Sequence, residues 1–264
     1  MPFTVSHAAV VLPFSRPLAR WQLLPAVVVG SMVPDFRFFL PWHLQRFETH
    51  SFEALFTFCM PMGLLAYWLF EYLIKPPLME TLPDGAFVAW QAHARPAPIR
   101  SVRRWLLAVF GILLGAVSHL IWDAFTHEGA RGVRMLTLLE EPGLGSHHRF
   151  LLLRAAQDGS SLIGLLVVIG YALHAMGRAT PEVPPRLLSE GERRAWWTSY
   201  LAVTMGLAVP IYFAMRSIGE HSHWLPIIAN DIAISSLRAL AIAMLAVSVS
   251  LATRLHYLSS GSGR

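Results

Sequence analysis

The residues best equipped for chemistry in this chain stand four apart, in His119-Leu-Ile-Trp-Asp123-Ala-Phe-Thr-His127. Steps of four advance about 40° around an α-helix, so the three polar side chains form one stripe on an otherwise apolar segment. Imidazole and carboxylate groups at this spacing chelate metal ions or pass protons. His119 and His127 lie about 12 Å apart along the axis at about 1.5 Å per residue, too far to share one ion without a bend. His127 is therefore a ligand of a second metal, a group behind the first ligands, or an acid–base group. Four other places carry the same residue types: His7, the Pro34-Asp35 pair, the Thr49-His50-Ser51 triplet and Gln157-Asp158. Each has a plain alternative. The stripe could serve interhelical hydrogen bonding, His50 a helix end and Asp35 a turn, while Gln157 and Asp158 read as packing or supporting groups.

The elements that must position these residues are membrane spans. The chain has 264 residues, 55% hydrophobic and 14% charged, against about 25% charged in a soluble domain. The apolar residues fall in long runs, which gives an all-α, polytopic transmembrane helical bundle. Five runs read as spans: Phe52 to Ile74, Trp105 to Phe125, Ser160 to Met176 with a start as early as Phe150, Ala195 to Met215, and Ile227 to Thr253. Trp68, Trp105, Trp122, Trp196, Trp197 and Trp224 lie towards their ends, as an interfacial belt does. Two shorter stretches, Ala8 to Phe14 and Leu23 to Leu40, fall under the ~20 residues of a full span and read as a hairpin of short helices. Residues 1–176 then hold the candidate site, residues 177–264 add a two-span extension, and the whole is one membrane domain.

Three connectors remain: Pro-rich Lys75 to Arg104, Gly-rich Glu128 to Arg149 with its His147-His148 pair, and Pro-rich Arg178 to Arg194. Met1 to Pro13 lacks the basic start and small-residue cleavage site of a signal peptide. Cys59 is the single cysteine, so the redox compartment is not legible. The pI near 9.9 does not point to nucleic acid, because the cations sit between apolar runs rather than in a basic stripe with interleaved aromatics. The Lys75 to Arg104 and Arg178 to Arg194 loops and the tail after Thr253 share one side and carry eleven Lys and Arg, and the connections on the other side carry seven. The positive-inside rule puts that loop in the cytoplasm. His50 opens one span, His119 to His127 closes the next, and Gln157 opens the third, so all face the non-cytoplasmic side. A hairpin with Arg16 and Arg20 at its tip returns His7 and Asp35 to the same surface.

The segments MPFTVSHAAVVLP, VVVGSMVPDFRFFL, THS and GAVSHLIWDAFTH resemble a bacterial integral-membrane family related to membrane-bound metal-dependent hydrolases. The resemblance covers roughly residues 1 to 165. The ligand order is also similar to zinc-dependent phospholipase C, which implies His7, Asp35, His50, His119, Asp123 and His127 as metal ligands. The downstream His-x-x-x-Glu and the N-terminal amine ligand of that enzyme have no counterpart here, so one or two ions are expected. The implied cofactor is a divalent metal, Zn²⁺ before Mn²⁺ or Fe²⁺. The implied activity is hydrolysis of a phosphate or acyl ester of a lipid-like substrate, with Asp123 and His127 as catalytic candidates and Arg131 or Arg134 near a phosphate. The implied location is a bacterial inner membrane. The competing class is a non-enzymatic membrane protein, either a proton- or ion-coupled carrier or a structural bundle. Asp231 and Arg238, seven apart on the last span, read as a structural ion pair.

Overall fold

The computed structural model describes residues 4–40, 44–91, 101–127, 131–135, 146–178, 185–218 and 225–261. Every regular element among them is helical, because backbone N–H and C=O groups in hydrocarbon must be satisfied within their own segment. A 3₁₀ helix spans Thr4–Val10. It is followed by α1 (Ser15–Arg20), α2 (Leu24–Met32) and a second 3₁₀ stretch, Val33–Phe39. Then come α3 (Arg46–His50), α4 (Leu55–Thr81), α5 (Asp84–Trp90), α6 (Val102–Thr126) and α7 (Arg131–Met135). The last three helices are α8 (Ser146–Gly177), α9 (Glu190–Ile218) and α10 (Leu225–Gly261). Helices α4, α6, α8, α9 and α10 are long and apolar enough to cross a membrane. The chain is an all-α integral membrane protein.

The first span runs on where a wet loop is expected from Lys75. Helix α4 continues through Pro76 and Pro77 to Thr81, and it widens to π-type turns at Leu55–Cys59 and Phe70–Ile74. Both wide stretches lie just before prolines, at Pro61 and at Pro76-Pro77, whose rings would otherwise clash with the carbonyls four residues back. Lys75 is buried and its ammonium lies 2.6 Å from the Glu71 carboxylate. The free carbonyls at the end of α4 are taken up by the segment before α9. Arg186 donates to Met79 O at 2.9 Å, to Leu82 O at 3.0 Å and to Glu80 O. The Glu80 carboxylate accepts from the Leu187 and Leu188 N–H groups in return.

Helix α2 does not cross. At nine residues it is about 14 Å long, and it lies against α6 at a crossing made by glycines. A Cβ on Gly30 would stand 2.2 Å from Ile112 O, and one on Gly115 would stand 2.2 Å from Val27 O. Gly111 and Gly115, one turn apart on α6, form the small-xxx-small face that lets two backbones touch. Ala26, Val33, Cys59, Ile112 and Ala116 fill the core around this contact.

Arg238 corrects the expected ion pair. Its guanidinium donates to Phe38 O and, at 3.2 Å, to Leu40 O, while Asp231 lies 3.6 Å from Arg216 instead. Two turns along α10 bring the residues to one face, but the carbonyls left open at the end of the Val33–Phe39 helix lie within the reach of Arg238. The last span thus braces the segment that carries Asp35.

Candidate metal centre

Each site residue is delivered by a helix end or a helix face with its own local reason. Ser6 donates to Ser161 O of α8 at 2.7 Å and lies over Gly164, where a Cβ would meet Ser6 O at 2.8 Å. This seats His7 next to α6. Pro34 opens the 3₁₀ turn that carries Asp35, and Thr4 Oγ1 donates to Asp35 Oδ2 at 3.0 Å. A reciprocal Gln45–Glu48 cap starts α3, and the chain turns extended at Ser51, so the helix ends at His50. His119 and Asp123 face inward from the last two turns of α6, both buried.

The five side chains meet. His50 Nε2 is 3.6 Å from Asp35 Oδ1 and 3.5 Å from Asp123 Oδ2. His119 Nε2 is 3.8 Å and 3.7 Å from the same two oxygens. His7 Nε2 stands 3.9 Å from Asp123 Oδ1, and its ring stacks on His119 at 3.7 Å. Two triads have ligand atoms all within 4.8 Å of one another: His7, His119, Asp123 and Asp35, His50, His119.

Protons decide what these distances mean. His119 Nδ1 lies 2.8 Å from Ser31 O, and a carbonyl only accepts, so Nδ1 carries the hydrogen and, in the neutral ring that a metal requires, Nε2 presents its lone pair. Thr49 donates its hydroxyl to Arg46 O at 3.4 Å, which leaves it to accept from His50 Nδ1 at 2.7 Å. His50 Nε2 is thereby also a lone pair. Burial lowers the His50 pKa against the pull of Asp35, and burial beside His119 holds His7 down to about 4. Burial opposes ionisation of Asp35, but a hydrogen bond from protonated His50 and the charge of protonated His119 more than offset it and bring that carboxyl below the usual range when no metal is bound.

With both rings neutral, the two Nε2 atoms face two carboxylates across 3.5–3.8 Å, longer than any of the contacts that orient the rings. Ligands about 2.0–2.1 Å from one tetrahedral ion stand about 3.4 Å apart, and the imidazole–carboxylate gaps of 3.5–3.9 Å lie within about half an ångström of that spacing. The Nε2 of His119, the Nδ1 of His7 and the Oδ1 of Asp123 are buried without hydrogen-bond partners. The donor set of imidazole nitrogen and carboxylate oxygen suits Zn²⁺, with Mn²⁺ or Fe²⁺ next.

A family model described as Domain of unknown function (DUF4184) matches residues 1–249. The chain belongs to the DUF4184 family. No curated protein and no solved structure matches it. The DUF4184 match contains all the site residues and reaches into the last span, past the roughly 165 residues that the sequence motifs cover.

His127, the sixth expected ligand in this DUF4184 chain, sits at the rim and belongs to neither triad. Its Nδ1 is 3.3 Å from Asp123 O and 3.5 Å from Asp123 Oδ1. Gln157 lines a cavity beside the cluster, while Asp158 points out to Arg154 at 3.2 Å. The side chains of Arg131, His147 and His148 lie outside the described residues. Arg46 is the residue that sequence reasoning missed: its Nη2 donates to Asp123 Oδ2 at 2.8 Å. Its place four before His50 on one short helix is the signal that reveals it.

Proposed function

We propose that this protein is a membrane-embedded, metal-dependent hydrolase of a phosphate or acyl ester on a lipid-like substrate. The observation that carries the proposal is the His119 Nε2 atom, buried, without a hydrogen-bond partner and 3.7–3.8 Å from two carboxylate oxygens on separate elements. His7, Asp35, His50, His119 and Asp123 are the candidate ligands of one or two ions, zinc before manganese or iron. A bound divalent ion supplies Lewis acidity and a water acidified to a pKa of about 7.

The chain's own groups handle the rest. Asp35 and Asp123 provide the negative charge that retains a dication, and the Ser31 carbonyl and Thr49 hydroxyl hold two imidazoles in the ligating tautomer. His127 keeps its Nδ1 hydrogen on the Asp123 carbonyl, which leaves its other nitrogen as a base at the cavity. There it takes the proton of the attacking water as oxygen bonds to phosphorus or acyl carbon. It returns that proton to the alcohol oxygen as the ester bond breaks. The ligands gather at one end of the bundle, and a carrier wants them near the midplane with access to both sides. We place this end at the non-cytoplasmic face of a bacterial inner membrane, on the excess of Lys and Arg at the other end.

Hydrolysis of phosphate and acyl esters of diacylglycerol by the detergent-purified protein tests the reading. Activity should vanish with EDTA, return with added zinc, and be absent in Asp123→Asn. Hydrolysis that survives in Asp123→Asn or in EDTA overturns it.

A further inference from the structure

Two spaces of opposite character meet at the cluster. A cavity of about 200 Å³ is walled by Asp35, Arg37, Arg46, His50, His127 and Gln157, among others. Beside it a groove of about 810 Å³ runs along α3, the start of α4 and α6, with Phe47, Phe52, Leu55, Val117, Leu120 and Ile121 in its lining. Arg46, His50 and Asp123 belong to both. The groove has the size of a ligand site, in the range of about 300–1,000 Å³. Phe47, Phe52, Val117 and Ile121 are exposed, and Val117 and Ile121 sit on a membrane-spanning helix. That wall therefore opens towards lipid rather than water.

The polar cavity holds more positive charge than the candidate ligands require. Arg46 donates one nitrogen to Asp123 and has further N–H groups to give. Arg37 donates Nη1 to Leu44 O at 3.2 Å, and its Nε is buried with no acceptor. Arg134 adds a cation at the groove. A neutral acyl ester makes no use of two guanidinium groups, whereas a phosphate brings negative charge and matches the planar guanidinium fork.

We infer that the substrate is a lipid phosphate that enters sideways from the bilayer, its phosphoryl group between Arg37 and Arg46 and its chain in the α4–α6 groove. This rests on the hydrolase reading for its chemistry, but binding is separable from turnover.

The test uses full-length protein in detergent with a fluorescent dialkyl-ether phosphonate analogue of phosphatidate, which has no ester to hydrolyse. Unlabelled phosphonate, the matching dialkylglycerol and inorganic phosphate compete for the site, and zinc content is measured on the same samples. We expect the phosphonate lipid to compete at least about tenfold better than either other probe, as a charged hydrogen bond implies. Arg37→Gln should erase the preference over dialkylglycerol, and Ile121→Trp should weaken phosphonate binding at least about tenfold with zinc unchanged. Equal competition by dialkylglycerol overturns the headgroup assignment. Equal competition by inorganic phosphate makes the ligand soluble, and an unaffected Ile121→Trp removes the chain from the groove. Zinc without lipid preference sinks this inference and spares the hydrolase reading. Lipid preference without zinc does the reverse.

Discussion

Replacing Gly115 with alanine should cost metal affinity although the new methyl touches no candidate ligand. Its Cβ would stand 2.2 Å from Val27 O and 2.5 Å from Ser31 N, where ordinary contact begins at 3.4 Å. Helices α2 and α6 must then part by roughly 1.2 Å at this point, the difference between those two distances. The bond from His119 Nδ1 to Ser31 O, now 2.8 Å, would stretch to about 4 Å, too long for a hydrogen bond. His119 would lose both its tautomer and its aim. Outer-partner losses of this kind weaken metal binding about 10–100-fold, or about 1.4–2.7 kcal/mol. Zinc affinity by competition with a chromophoric chelator in detergent measures the effect. Gly170→Ala, with nothing within 4 Å of the added methyl, is the control and should bind as the parent does. A Gly115→Ala protein that binds zinc within about twofold of the parent would refute the link between the glycine crossing and the site.

Other outcomes follow from the same geometry. His127→Gln should keep its metal and lose about 10²–10⁴-fold in turnover, as removal of a general base does; loss of metal instead would make His127 a ligand. Arg238→Met removes the donors to Phe38 O and Leu40 O. It should lower Tm by roughly 3–10 °C, and a double-mutant cycle with Asp231→Asn should show little coupling, because the two are not partners. The metal-free protein should lose stability as pH falls from 6.5 towards 4. Folded His7 titrates near 4, and His50 and His127 are also lowered, so over that window the unfolded chain binds protons at these three sites that the folded chain refuses. Asp35, held below its ordinary 3.8, adds a further loss below that pH. A Tm that stays flat or rises between pH 7 and pH 5 in EDTA would contradict the sign.

The five spans were legible because a run of about 20 apolar residues has few other uses. The convergence of His7, Asp35, His50, His119 and Asp123 was legible because spans of known polarity bring alternate ends to one face. What sequence spacing hides is which backbone groups lie open. The Ser31 carbonyl orients His119 only because Gly30 and Gly115 let two backbones touch. Arg238 went to Phe38 and Leu40 rather than Asp231 because unsatisfied carbonyls at a 3₁₀ end compete with a carboxylate two turns away. Lys75 marked no loop, since its neighbour Glu71 shares its burial and widened turns admit the prolines that follow. Arg46 reads in sequence as an interfacial cation; its spacing from His50 puts it near the site, and the fold brings it to Asp123.

The most direct test of the metal centre is elemental analysis of detergent-purified protein, parent beside a His119→Ala/Asp123→Ala variant. We expect one or two equivalents of zinc, manganese or iron in the parent and none in the folded variant. A folded parent that carries no metal, even after metal is added back, would contradict the centre and the hydrolase reading with it.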